Sequence, residues 1–287
     1  MSLREMVVVS GKGGTGKTTL TACFTLLTEE KKILADTDVD APNMALLLHP
    51  KETDRRPFYG MAVASVDKEV CTGCRECAAF CRFSAITMKD GKAVVDEGFC
   101  EGCKGCLQVC PVKAISTKFI VRGTLKRGDT PWGPLWHARL GPGGENSGAL
   151  VAQIRQEARK EALEAGASLV LIDGPPGVGC PTVSSVTGTD YGVIVTEPSR
   201  SALSDLSRII ELFRILDTPF GIVINRWDLS PELTEIIRKR CEKEGWTLLG
   251  LLPFEEKAAR AVAEGRIPVK EMGPDLPILW QNIRKRL

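Results

Sequence analysis

The sequence predicts an α/β fold: a doubly wound, mostly parallel sheet into which a small α+β domain is inserted. Three observations carry that expectation. Short, almost wholly apolar runs rich in Val, Ile and Leu alternate with helical stretches at both ends of the chain, as strands buried on both faces do. A glycine-rich loop joins the first of these runs to the first helical stretch. Eight of the eleven cysteines crowd into residues 71–110, where the alternation stops.

The core elements follow in order. EMVVVS (5–10) reads as a strand, 16–28 as a helix and KKILADTD (31–38) as the next strand. The alternation resumes after residue 165 with LVLIDG (169–174), YGVIVT (191–196), FGIVIN (220–225) and TLLGLL (247–252), separated by helices near 201–216, 231–244 and 255–264. Pro231 suits the first helical position behind Ser230 as cap, and Gly245 suits the position past the helix end. Strand–helix alternation of this kind builds a doubly wound core. It assigns 1–66 and 119–287 to the core and 67–118 to the insert. Residues 119–148, rich in Gly, Pro and Trp, read as strands and loops that return the chain to the core. The tail ILWQNIRKRL places Ile278, Leu279, Ile283 and Leu287 near one face, as a closing helix docked on the core rather than a membrane-binding one.

Bulk properties exclude several classes. The 287 residues suffice for a large domain with a smaller one inside it, and 43% apolar with 26% charged is ordinary globular composition. No charged-then-apolar leader opens the chain, and no apolar run nears the roughly 20 residues that span a bilayer. A cytoplasmic location is therefore expected. The formal charge of +2 comes without a long basic block, which argues against nucleic acid as partner. Cytosolic cysteines at this density point to metal rather than disulfides.

Gly11-Lys12-Gly13-Gly14-Thr15-Gly16-Lys17-Thr18 satisfies GxxxxGK[ST] between a strand and a helix. Glycines let successive backbone N–H groups close around phosphates, and the helix N-terminus adds its positive end. Lys17 is placed to reach the β- and γ-phosphates, and Thr18 to offer its hydroxyl to Mg²⁺, with Thr19 next along the loop. ATP with Mg²⁺ is the expected ligand.

The early lysine, Lys12, makes the loop resemble that of the MinD/ParA/Mrp superfamily of P-loop ATPases, KGGxGKT. That resemblance implies ATP hydrolysis by a face-to-face dimer, homomeric or with a related ATPase, in which Lys12 reaches the partner's nucleotide. DTDVDAPN (36–43) resembles the family's first switch, which implies that Asp38 orients the attacking water, with Asp36 and Asp40 as bystanders or outer Mg²⁺ contacts. LVLIDGPPG (169–177) resembles the Walker B strand and second switch, which implies that Asp173 holds Mg²⁺. GIVINR implies that Asn225 reads adenine, with the loop at Pro253 lining its other side. TEPSRSALSDL (196–206) matches the family's strand-to-helix turn.

The cysteines form a 29-residue repeat: Cys71, Cys74, Cys77 and Cys81 recur as Cys100, Cys103, Cys106 and Cys110, and Ala85-Ile86 recurs as Ala114-Ile115. C-x₂-C-x₂-C-x₃-C, twice, is the spacing of bacterial ferredoxins with two [4Fe–4S] clusters. The resemblance implies that Cys71, Cys74, Cys77 and Cys110 hold one cluster, and that Cys100, Cys103, Cys106 and Cys81 hold the other. Zinc also takes four cysteines, typically on paired C-x₂-C knuckles. Two cubane cores of about +2 with eight thiolates would bring the net charge to about −2. One departure stands out: Arg82 follows Cys81 where proline is usual, whereas Pro111 follows Cys110. Such a module has little apolar core, so its metal must supply much of its folding energy.

Of the other cysteines, Cys23 and Cys241 read as small buried residues, and Cys180 as a thiol seven residues beyond Asp173. His49 and His137 are isolated, each a surface or hydrogen-bonded residue. The expected function is an ATP-driven dimeric switch that couples nucleotide state to electron transfer through two clusters to a partner protein. The alternatives are a cluster carrier of the Mrp type, which hands a cluster to an acceptor, and a positioning ATPase with redox-sensing clusters.

Overall fold

The computed structural model describes residues 2–141 and 147–287, so the stretch 142–146 of the expected return to the core lies outside the described residues. In chain order the elements are β1 (Arg4–Ser10), α1 (Lys17–Leu27), β2 (Lys32–Asp36), α2 (Met44–Leu48), β3 (Lys51–Tyr59) and β4 (Val63–Val66). Next come α3 (Glu76–Phe80), β5 (Ile86–Lys89), β6 (Lys92–Val95), α4 (Gly105–Val109), β7 (Ile115–Lys118), β8 (Val121–Thr130) and β9 (Gly133–Leu140). The chain then forms α5 (Ser147–Ala165), β10 (Leu169–Pro176), α6 (Cys180–Val186), β11 (Tyr191–Thr196), α7 (Arg200–Ile215) and β12 (Phe220–Asn225). It ends with α8 (Pro231–Glu244), β13 (Leu248–Leu252), α9 (Glu256–Ala263) and α10 (Asp275–Arg284). Among the described residues two compact units result, one of 2–56, Leu125–Arg139 and Ser147–Leu287, the other of Pro57–Thr124 with 140–141.

The principal sheet has nine strands in the order β13-β12-β11-β1-β10-β2-β9-β8-β3. From β13 through β9 every pairing is parallel, as apolar runs without alternation require. β1 lies between β10 and β11, and its register sets Val8 opposite Asp173, which is itself opposite Asp36 on β2. The carboxyl ends of the strands therefore bring the β1–α1 loop, Asp173 and Asp36 to one edge, where open parallel sheets bind ligands.

One face of the sheet packs on Leu20, Phe24, Leu276, Leu279, Trp280 and Ile283. Phe24 of α1 stacks on Trp280 of α10 with centroids 5.1 Å apart. The tail is thus a docked helix, with one correction to its face. Ile278 is 55% exposed, while Leu276 and Trp280 are buried in its stead, because the helix starts at Asp275 and its phase follows the Leu276–Leu279–Ile283 stripe. Ser230 caps α8 by accepting from the Leu233 N–H, Pro231 opens the helix, and Gly245 ends it at φ 67°. α5 and β3 were not anticipated. The buried stripe of α5 is Leu150, Val151, Ile154, Ala158 and Ala162, and the alanines dilute its apolar signal.

The second unit is built from two like halves, β4-α3-β5 and β6-α4-β7, whose boundaries repeat at the 29-residue spacing of the cysteines. Each half ends by pairing with the start of the other: β4 runs antiparallel to β7, and β5 to β6. The repeat extends to single backbone torsions. Arg75 and Lys104 precede the two helices at φ 69° and 63°, and Ser84 and Lys113 follow the last cysteines at φ 53° and 52°. A Cβ at Gly73 would stand 2.0 Å from the Gly91 carbonyl oxygen, and one at Gly102 2.6 Å from that of Ala62. Both positions need glycine because a neighbouring backbone occupies the side-chain space. The core of this unit is small: Ala64, Ala93, Ala114, Ile86 and Ile115 close on Cys71, Cys77 and Cys106.

Candidate functional site

The loop between β1 and α1 turns through Gly14 at φ 82° and Gly16 at φ 92°. A Cβ at Gly16 would meet the Asn225 amide nitrogen at 2.5 Å. The turn aims the first helical residue, Lys17, at the carboxylates on the strand ends. Its Nζ lies 3.0 Å from Asp38 Oδ2 and 3.9 Å from Asp173 Oδ2. Burial works to lower the Lys17 pKa, but Asp173, Asp38 and Asp36 outweigh it and hold the ammonium charged. Thr18 donates to Asp173 Oδ2 at 2.6 Å and Thr21 to Asp173 Oδ1 at 3.1 Å.

Asp173 is fully buried, and burial raises its pKa against the opposing pull of Lys17, Thr18 and Thr21. Asp36 is also fully buried, and burial followed by the charge of Asp173 pushes it up. Asp36 is not a free bystander: its two carboxylate oxygens accept from the N–H groups of Asp38 (3.1 Å) and Met44 (3.0 Å), which fixes the loop carrying Asp38. Asp40 is exposed.

Lys12 is engaged within its own chain. Its Nζ lies 2.7 Å from Glu197 Oε1 and donates to Ser199 Oγ at 2.8 Å and Ser201 Oγ at 3.2 Å. These partners lie on the β11–α7 turn, whose role no sequence signal specified beyond its match to a family segment. Arg226 shares Glu197 at 3.3 Å.

Beside the loop a cavity of about 200 Å³ is lined by Thr19, Asn225, Arg226, Pro253, Phe254 and Met272, among others. It is concave and part apolar, as a base site should be. Asn225 donates its amide to the Thr15 carbonyl at 2.8 Å and accepts the Arg226 N–H at 3.1 Å. Phe254 follows Pro253 in the loop expected to line the base, whereas Met272 lacked any pattern that would have marked it. The Thr15 hydroxyl is buried with no hydrogen-bond partner. An unsatisfied buried hydroxyl in a loop of this shape suits a ligand rich in acceptor oxygens. The oxygen donors of Thr18 and Asp173 suit Mg²⁺.

The eight repeat cysteines divide between two cavities of the second unit. Cys71, Cys74, Cys77 and Cys110 line one of about 10 Å³. Cys81, Cys100, Cys103 and Cys106 line another of about 350 Å³. Cys74 and Cys103 are the exposed members. Burial pushes Cys106 up to about 11 and raises Cys77, whereas the N–H groups of Ala93 and Gly73 pull Cys71 down. The Ala64 N–H donates to Cys100 Sγ at 3.4 Å, and the Ala114 N–H to Cys110 Sγ at 3.3 Å. Among the described residues, no group of three or more His, Cys, Asp or Glu is placed to hold a single metal ion. Four thiols lining one cavity are the donor set that a multi-iron cage takes.

The remaining candidates separate from these sites. Cys23 and Cys241 are buried, with thiols pushed up to about 12 and about 11 by burial. Cys180 is exposed at the start of α6. His49 Nε2 bonds the Gly265 carbonyl at 2.9 Å.

The chain matches the family described as CobQ/CobB/MinD/ParA nucleotide binding domain over residues 6–269. It is 34% identical over 227 residues to an uncharacterized protein of Methanocaldococcus jannaschii, a match covering 78% of each chain. Its fold is similar to the septum site-determining protein MinD of Pyrococcus horikoshii solved with Mg-ADP, at a TM-score of 0.60 and 17% identity over 99% of this chain and 96% of that one. A shorter match, 28% identical over 134 residues, is to the iron-sulfur cluster carrier protein of Pyrococcus abyssi, covering 42% of this chain and 45% of that protein. No described helix is long and apolar enough to cross a membrane.

Proposed function

Because the chain belongs to the CobQ/CobB/MinD/ParA nucleotide-binding family, we propose that it is a dimeric ATPase whose nucleotide state governs a ferredoxin-type domain holding two [4Fe–4S] clusters. The observation that carries the ATPase reading is the convergence of Lys17, Thr18, Asp38 and Asp173 within mutual reach beside the base cavity.

In this reading each tie among those groups is one that ATP replaces. The triphosphate takes Lys17 from Asp38, and the freed carboxylate holds the attacking water in line and accepts its proton. Asp173 and Thr18 hold Mg²⁺, and the Thr15 hydroxyl finds its partner on a phosphate oxygen. Asn225 reads the base edge while Pro253 and Phe254 cover its faces. Lys12 leaves Glu197 and Ser199 to neutralise the partner protomer's phosphates, which links dimerisation to the nucleotide. In the second domain, Cys71, Cys74, Cys77 and Cys110 hold one cluster, and Cys81, Cys100, Cys103 and Cys106 the other. Such clusters supply one-electron redox chemistry.

A second reading is favoured by the partial match to the cluster carrier of P. abyssi: the protein hands a cluster to an acceptor. The deciding experiment is anaerobic purification with iron and sulfide counting, then the cluster midpoint potentials with and without a non-hydrolysable ATP analogue. Electron coupling expects a potential that moves with nucleotide and clusters that stay bound. Transfer of iron and sulfide to an apo-acceptor at unmoved potentials selects the carrier. Colourless, zinc-bearing protein overturns both.

A further inference from the structure

Resting on the cluster reading, we propose that the two cysteine quartets are kinetically unequal: the Cys81–Cys100–Cys103–Cys106 site takes up and gives up its cluster ahead of the Cys71–Cys74–Cys77–Cys110 site. Three observations lead there.

The first is room. Helix, strand and glycine positions repeat at 29 residues, so symmetry alone predicts matching cavities. They differ: about 10 Å³ in the cavity that one quartet lines, and about 350 Å³ in the cavity that the other lines together with Ala62, Phe80, Phe83 and Thr117. The smaller space is near the minimum for one water. An iron–sulfur cage enters it only if the thiols and the packed residues around them move outward, and leaves it only by the same movement. The larger space leaves room beside its four thiols for a cage to approach.

The second is the rim. Phe80, Arg82 and Phe83 line the larger cavity and are exposed, Phe80 at 52% and Phe83 at 43%. The rim of that quartet is therefore open to solvent at these side chains, although the Phe80 ring lies against Gly105.

The third is the backbone at the last cysteine. Cys110 is at φ −79°, ψ 107° and Cys81 at φ −70°, ψ 108°, the extended conformation that a following proline imposes. Pro111 enforces it after Cys110. After Cys81 it is held without enforcement, because Arg82 has no ring Cδ to crowd the residue before it. The fourth ligand of the open quartet is therefore the less restrained of the two.

The test uses the full chain, loaded anaerobically, with iron and sulfide counted first. Excess dithionite reduces the ferric iron and a ferrous chelator captures it. Each cluster lost releases four iron and four sulfide, and leaves four thiolates that take up protons. The expected trace is biphasic, with half the iron leaving at least tenfold faster. Cys103→Ser, at an exposed ligand of the open site, should abolish the fast phase. Cys74→Ser, its exposed counterpart, should abolish the slow phase and leave the fast one. Arg82→Pro, whose preceding residue already has the required torsions, should slow the fast phase severalfold with the iron count unchanged. Eight iron leaving in one phase, or a fast phase that disappears with Cys74→Ser, overturns the inequality while the cluster reading stands. A chain that binds no iron or sulfide overturns both.

Discussion

At the scale of single residues, the nucleotide site is a set of charges that satisfy one another. Asp38 holds Lys17 at 3.0 Å, and the proposed chemistry needs that carboxylate on water instead. Asp38→Ala should lower the rate of phosphate release by roughly 10²–10⁴, the range for a lost general base, while ATP still binds in equilibrium dialysis. Lys17→Ala should abolish both. His137 offers a test of stability. Burial, then the charge of Lys126, pushes its pKa down to about 4 from 6.5. The folded state refuses a proton that the unfolded chain accepts, so stability falls as pH drops through 6.5 and the loss is complete near 4. Its ceiling is about 3 kcal/mol. His137→Gln should remove that slope from urea midpoints measured across this window. The sequence made the phosphate loop legible because GxxxxGK[ST] is local. It left the partners of Lys12 dark, since Glu197, Ser199 and Ser201 lie some 185 positions away and only the β1–β11 pairing brings them near.

At the scale of elements, the strands of the parallel sheet were legible because burial on both faces leaves no polar positions to confuse the pattern. YGVIVT and FGIVIN match β11 and β12 residue for residue. The α8 boundaries were legible because cap, proline and glycine are chemical punctuation. α5 was not, since alanines mark its buried stripe. β3 was not, because its sequence KETDRRPFY is mostly exposed and carries little apolar signal. The docking of α10 was foreseen but its face was misjudged at Ile278, and Trp280 shows why the correct face matters. It is 6% exposed and stacks on Phe24. Trp280→Ala should cost about 3–5 kcal/mol and lower the melting temperature by roughly 10 °C in a thermal scan. Ile278→Ala, on the exposed face, should leave it unchanged within about 0.5 kcal/mol.

At the scale of the whole molecule, the two units differ in what holds them. The larger closes on Leu, Ile, Val and Phe, whereas the smaller closes on alanines, two isoleucines and thiols. On the proposed cluster reading, metal supplies folding energy that so small a core lacks. Hydrogen exchange should therefore show protection across 57–124 that is lost when iron is removed by chelation, while the strands between 169 and 225 keep theirs. Equal protection before and after chelation would remove metal from the account of that fold. The 29-residue repeat made the two halves legible. Which strands they trade could not be read from it, because pairing within a half and pairing between halves give the same local sequence pattern.

That trade of strands has an outcome for the chain as an assembly of parts. Neither copy of the repeat contains a closed sheet, for each lends its closing strand to its twin. A lone copy is thus a puzzle piece whose missing neighbour has its own shape, and two such peptides made separately should pair only when iron and sulfide are supplied with them. In the intact chain the same reciprocity means that deleting one copy outright leaves the other without a floor.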